Sequence, residues 1–113
     1  MNNADQTAVL ICIAFQRSKQ NRARLSHKSL LRVACRTRCN AAFIVDVMNH
    51  AAEYGIGMSE LDTGGYGLLY QRALNGAKTM PASNFLTEEE IETPNLDVLR
   101  HELQYDRPEF TDD

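Results

Sequence analysis

The chain has 113 residues, of which 43% are hydrophobic, and its formal net charge is −3. This size and apolar content suffice for one folded domain with an extension. The longest apolar run, residues 8–15, is much shorter than the ~20 residues of a membrane-spanning helix. Positive charges follow that run instead of preceding it, which is the reverse of a secretory signal. We therefore expect a cytoplasmic protein without membrane contact, whose three cysteines, Cys12, Cys35 and Cys39, are reduced.

Charge is divided unevenly along the sequence. Residues 6–45 contain no acidic residue and eight basic ones: Arg17, Lys19, Arg22, Arg24, Lys28, Arg32, Arg36 and Arg38. Residues 79–113 reverse the balance, with ten acidic residues against two arginines. An unmixed basic block raises the local potential and attracts anions, of which nucleic acid is the commonest macromolecular example. The block therefore predicts binding to nucleic acid, with an ordinary solvated helical surface as the simpler alternative.

The first two helices are predicted from apolar spacing and capping residues. Asp5 can cap a helix over residues 6–21, although the β-branched residues of 9–13 also alternate as in a strand. We favour the helix because no turn signal follows the apolar run. Ser26 then caps a short second helix over residues 27–34.

A third helix is the most strongly patterned element. Thr37 or Asn40 can cap it, and Gly55 is suited to end it after Tyr54. Its predicted buried stripe consists of Phe43, Val47, Ala51 and Tyr54.

Glycine-rich sequence follows the third helix. Residues 56–61 and 66–71 flank Asp62-Thr63-Gly64-Gly65 and predict a β-hairpin. A loop near residues 75–81 then separates a domain of residues 1–80 from an acidic extension, residues 81–113. In that extension we expect one helix, capped by Thr93 and lined by Leu96, Leu99 and Leu103.

The predicted fold class is mainly α with one β-hairpin. Three helices followed by a hairpin, over about residues 6–71, resemble the winged-helix variant of helix-turn-helix DNA-binding domains. The resemblance implies that residues 26–34 form the supporting helix and that residues 38–54 form the recognition helix in the major groove. It also implies that residues 62–65 form the tip of the wing.

The same resemblance implies where bases are read. Arg36, Arg38 and Asn40 would lie at the leading end of the recognition helix. Arginine can bond guanine through two hydrogen bonds, and asparagine can do the same with adenine, so these residue types suit base contacts.

Two other residue patterns in the sequence are typical of chemical sites. Asp62-Thr63-Gly64 matches the triplet of retroviral-type aspartic proteases, but those proteins consist of many strands, and the triplet also suits a turn. Cys35 and Cys39, with His27 and His50, could hold zinc, yet their spacing departs from the usual paired cysteines. We therefore expect no enzymatic activity, no metal and no cofactor.

The functional hypothesis is a small DNA-binding regulator of transcription or of a mobile element such as a phage or plasmid, acting as a homodimer. The alternative is a protein-binding adaptor, or an inhibitor of nucleic-acid machinery, whose acidic extension imitates the charge of DNA and contacts a protein partner. Under the first hypothesis, the acidic extension competes with DNA for the basic block.

Overall fold

The computed structural model describes residues 1–103, and its first helix, α1, spans Ala4–Ser18. Asn3 caps this helix, because its Oδ1 accepts a hydrogen bond from the Gln6 N–H at 2.8 Å while the Gln6 Oε1 accepts one from the Asn3 N–H at 2.9 Å. The helix ends at Lys19, which has a left-handed φ of 59°. The prediction of a helix instead of a strand is confirmed, although the helix ends before residue 21.

Asp5 was predicted to cap α1, and that prediction is wrong. It lies in the first turn of the helix, where its carboxylate accepts a hydrogen bond from the Tyr54 hydroxyl at 2.7 Å. This bond, together with partial desolvation and the Asp5 charge, raises the pKa of Tyr54 above its ordinary value. Asp5 therefore joins the start of α1 to the end of the third helix.

The second and third helices follow their predicted caps. Helix α2 spans His27–Ala34, and the Ser26 Oγ accepts a hydrogen bond from the Ser29 N–H at 3.0 Å. Helix α3 spans Ala41–Glu53, and Asn40 caps it, so Thr37 lies before the cap. Both caps satisfy backbone N–H groups that have no partner inside the helix.

Three antiparallel strands form a sheet: β1 (Arg22–Leu25), β2 (Ile56–Glu60) and β3 (Tyr66–Tyr70). Their order is β1-β3-β2, so the first strand pairs with the last. The predicted hairpin of β2 and β3 is confirmed. Strand β1 was not predicted, and its four residues include two of the basic residues singled out in the sequence.

One core joins α1, α2, α3 and the inner face of the sheet. Ile11, Leu30 and Val47 are at most 1% exposed. Of the stripe predicted on α3, Val47 and Ala51 are buried, Phe43 is half-buried and Tyr54 is 49% exposed. Ile44, which is buried, occupies the place expected for Phe43. The apolar face of α3 is thus rotated slightly from the predicted one.

The chain divides into two units, residues 1–76 and 77–113. In the described part of the second unit, Thr87 caps α4 (Glu88–Glu92) and Asn95 caps α5 (Leu96–Glu102). Thr93 ends α4 and does not cap the last helix, so that prediction is wrong. No residue from 77 to 103 is buried.

The fold class is α-rich with a small sheet: residues 1–103 contain five α-helices and three strands. Within these residues, none of the helices combines the length and the apolar content that crossing a bilayer requires.

Candidate nucleic-acid interface

The predicted site residues lie on four successive parts of the chain. Arg17 is in the last turn of α1, Lys19 is its C-cap, Arg22 and Arg24 are in β1, Lys28 and Arg32 are in α2, and Arg36, Arg38 and Asn40 are in the connection to α3. All of them are exposed except Arg36, which is half-buried. The predicted site residues are therefore accessible, with that one exception.

These cations have no acidic partner in the described part of the chain. The ion-pair contacts found in residues 1–103 both involve His50, at 3.8 Å from Asp5 and 3.1 Å from Glu53. Surface arginines and lysines of ordinary domains are interspersed with carboxylates, which limits the field that they create. Here the positive field of the basic residues is not neutralised by close pairing.

Arg36 is held by the domain itself. Its guanidinium lies 3.9 Å from the centroid of the Phe43 ring, and its Nε and Nη2 donate hydrogen bonds to the Asn2 carbonyl at 3.3 and 3.0 Å. Two of its N–H donors and one face of its guanidinium are therefore already engaged inside the fold. Arg36 is better suited to positioning the start of α3 than to reading a base.

Asn40 and Arg38 differ in how far their side chains are already bonded within the fold. The Asn40 Oδ1 accepts the Phe43 N–H at 2.8 Å as the cap of α3, which leaves only its amide N–H₂ for another partner. Arg38 is exposed and makes no side-chain hydrogen bond within residues 1–103. Of the three residues expected at this helix end, Arg38 is the one that is sterically and chemically available.

Two further pairs of cations are spaced regularly. Arg22 and Arg24 are two residues apart on β1, so both project from the outer face of the sheet. Lys28 and Arg32 are four residues apart on α2, which places them on one side of that helix. The polar–apolar alternation of Arg-Ala-Arg-Leu fits β1, but four residues are too few to predict a strand from the sequence.

The exposed surface of α3 carries no cation. It consists of Ala41, Ala42, Val45, Asp46, Asn49, Ala52 and Glu53. Asp46 and Glu53 would repel phosphates, while the alanines leave the helix surface nearly flat. This surface by itself favours a protein or a base edge over the phosphate backbone as its contact.

The hairpin tip is shaped by two glycines with positive φ, Gly64 at 94° and Gly65 at 78°. A Cβ atom on Gly65 would lie 2.7 Å from the Leu25 carbonyl oxygen, so the turn approaches the end of β1 closely. Arg24 Nη2 donates a hydrogen bond to Thr63 Oγ1 at 3.4 Å. The tip thus holds a cation at its side, although Asp62 is the charged residue in the turn itself.

Burial shifts the pKa values of two titratable groups of the core. Tyr66 is buried, and its hydroxyl lies 2.8 Å from His27 Nδ1; burial, with a smaller contribution from Glu60, raises the pKa of Tyr66. Burial also raises the pKa of the Cys12 thiol, which disfavours the reactive thiolate. Among the described residues, no three His, Cys, Asp or Glu side chains are grouped as metal ligands.

Comparison with protein-family models, with curated proteins and with solved structures gave no match.

Proposed function

We propose that residues 1–76 form a winged-helix domain that binds double-stranded DNA and regulates transcription or a mobile element such as a phage or plasmid, without catalysing a reaction. The order α1-β1-α2-α3-β2-β3, with sheet order β1-β3-β2, supports this fold. In such domains the helix corresponding to α3 contacts the major groove and the β2–β3 turn contacts the backbone beside it.

The observation that carries the proposal is the set of exposed cations without carboxylate partners between residues 17 and 38. A surface of this kind binds phosphates chiefly by displacing their counterions. Lys28 and Arg32 on α2 serve as backbone contacts in this proposal, and Arg38 serves as the base reader. Arg36 and Asn40 act indirectly, because they position the start of α3.

A homodimer is part of the proposal. Helix α1 exposes Val9 (37%) and Leu10 (46%) next to the half-buried Ile13. Burying such an apolar strip between two copies is favourable and would present two DNA-binding surfaces to a symmetric site.

The test is a salt-titrated binding assay on the full chain with a labelled duplex of about 25 base pairs. Between about 50 and 200 mM salt we expect a steep loss of affinity, and we expect Lys28→Ala/Arg32→Ala to reduce the log–log salt slope by about two. The matched control removes two exposed cations of the second unit, Lys78→Ala/Arg100→Ala, and should leave the slope nearly unchanged. A slope near zero for the unaltered chain would refute DNA binding.

The exposed surface of α3 favours a second candidate function, a protein-binding adaptor or inhibitor. Ala41, Ala42 and Val45, the last of them 47% exposed, suit a protein surface better than a phosphate backbone. Val45→Arg separates the two candidates, because an added cation strengthens DNA binding only if α3 faces the DNA. Unchanged affinity in Val45→Arg, together with a normal salt slope, would mean that α3 is free for a protein partner.

A further inference from the structure

The outer face of the sheet contains a groove that includes Arg22 and Arg24 in its lining and to which the DNA-binding proposal assigns no specific contact. Its opposed residues across the three strands are Arg22, Leu69 and Gly57 in one row and Arg24, Gly67 and Ser59 in the next. The groove has a volume of about 810 Å³, which exceeds the space needed for a single ion and falls within the range of peptide-sized or drug-sized sites.

The floor of this groove is bare backbone at two positions. Neither Gly57 nor Gly67 has a positive φ, so the backbone conformation does not require glycine at either one. At Gly67 the Leu61 side chain explains the choice, since an added Cβ would lie 3.3 Å from Leu61 Cδ2. At Gly57 an added Cβ would meet only the Leu69 carbonyl oxygen at an ordinary 3.6 Å and a flexible glutamine side chain.

Glycine inside a strand reduces its stability and often marks a site where a ligand or another backbone approaches closely. Nothing within residues 1–103 accounts for Gly57, so a ligand in the groove is a physical reason for it. Leu61 and Leu69 supply apolar contact, and Leu69 is 38% exposed. Arg22 and Arg24 supply two positive charges, and neither has a carboxylate partner among the described residues.

From these features we propose that the outer face of the sheet is a docking site for an extended acidic peptide segment of a partner protein. Alternate residues of an extended strand lie about 6.6 Å apart. The spacing of Arg22 and Arg24 therefore matches acidic side chains at positions i and i+2 of a bound peptide. An apolar side chain on the same side of the peptide, at i−2 or i+4, packs against Leu69. The bare backbone at Gly57 lets the peptide main chain approach the sheet.

A nucleic acid fits this groove less well. Single strands bind open sheets largely by stacking bases on aromatic side chains, and the residues that line the groove include none. The residues to which we assign specific DNA contacts, Lys28, Arg32 and Arg38, do not line this groove.

The test uses the full chain and fluorescence anisotropy with two labelled twelve-residue peptides of identical composition. In one peptide Glu and Leu share the alternate positions that face the sheet and Thr occupies the positions between them; in the other peptide the Glu residues are adjacent. We expect the alternating peptide to bind at least tenfold more tightly. We also expect Arg22→Ser/Arg24→Ser and Gly57→Val each to weaken its binding at least tenfold.

The control variant Lys28→Ser/Arg32→Ser removes the same charge from α2 and should change peptide binding less than twofold. Thermal melting checks the fold of Gly57→Val. Gly57→Ala fills less of the groove and should lose less peptide affinity.

Equal binding of the two peptides, equal loss in the control variant, or no binding of the alternating peptide at low salt would overturn the proposal. Binding of an oligothymidine instead, lost in Arg22→Ser/Arg24→Ser, would assign the groove to single-stranded nucleic acid. DNA-duplex affinity measured in parallel keeps this outcome distinct from failure of the proposed function.

Discussion

The Arg36 guanidinium stacks on the Phe43 ring at 3.9 Å, which ties the connection after α2 to the first turn of α3. The same guanidinium holds the Asn2 carbonyl just before α1. One side chain therefore fixes the relative positions of three helix ends.

We predict that Arg36→Ala lowers the free energy of unfolding by about 1–2 kcal/mol, because it removes a cation–π contact and two hydrogen bonds from a half-buried site. Arg38→Ala, the matched change at an exposed position, should alter stability by less than about 0.5 kcal/mol. Urea denaturation followed by circular dichroism measures both. A double-mutant cycle with Phe43→Ala should give a coupling energy of about 0.5–1 kcal/mol, and a value of zero would contradict the stacking contribution.

Arg38→Ala, which should barely change stability, should instead change DNA recognition. Arg38→Ala should reduce discrimination between duplex sequences by about 1–3 kcal/mol if Arg38 reads a base through two hydrogen bonds. Competition assays with duplexes that differ by single base pairs measure this quantity. Equal loss for every sequence would show that Arg38 contacts only phosphates.

The elements that the sequence predicts are those whose signals lie within a few neighbouring residues. Ser26 and the glycines of the hairpin act within a few residues, so α2 and the β2–β3 turn were predicted with nearly correct bounds. Strand β1 was missed because four residues pair with β3, which lies more than forty positions away in sequence. The periodicity of residues 22–25 is too short to identify a strand alone.

The candidate site shows the same limit. Charge alone leads one to expect that the eight basic residues are exposed, and seven of the eight are. The sequence did not predict that Arg36 packs on Phe43, because this contact depends on the left-handed turn at Cys35 (φ 54°). The groove was also missed, since Gly57 and Gly67 become neighbours of Arg22 and Arg24 only when all three strands are paired.

The hairpin tip provides a test with an internal control. We predict that Gly65→Ala costs about 2–3 kcal/mol of stability, because its φ of 78° is unfavourable for alanine and its Cβ would lie 2.7 Å from the Leu25 carbonyl oxygen. Gly64→Ala meets only the conformational penalty, with nothing within 4 Å of its Cβ, and should cost about 1 kcal/mol. Equal denaturant midpoints for the two variants would contradict the close approach of the turn to β1.

Tyr66 predicts how stability depends on alkaline pH. Burial raises the pKa of its phenol in the folded state, so the folded chain retains a proton that the unfolded chain, with a tyrosine pKa near 10, has already lost. Stability should therefore be unaffected by this group below about pH 9 and fall as the pH rises above about 10.

The Tyr66→Phe variant keeps the ring and removes the titrating group, so its stability should decline less over the same pH range. Denaturant midpoints measured at several pH values between about 8 and 11 make the comparison. Tyr54→Phe should have a smaller effect, because that residue is 49% exposed. An identical decline in Tyr66→Phe and in the unaltered chain would exclude Tyr66 as the group responsible.

The negative charge of the acidic extension, residues 81–113, should weaken DNA binding at low salt. Glu88, Glu89 and Glu92 are exposed on α4, whereas Glu90 bonds the Thr87 N–H and is left unchanged. Replacing the three exposed glutamates by glutamine removes negative charge that repels phosphates or competes with them for cations. We expect the affinity of the full chain for duplex DNA to rise several-fold at about 50 mM salt. The difference should shrink at about 200 mM, where the Debye length falls below ~8 Å.

Melting measured alongside controls for a change in fold, and Asp46→Asn/Glu53→Gln separates the effect of α4 from that of the acids on α3. Weaker DNA binding by the glutamine variant would contradict competition and would indicate that the extension contributes to the bound complex.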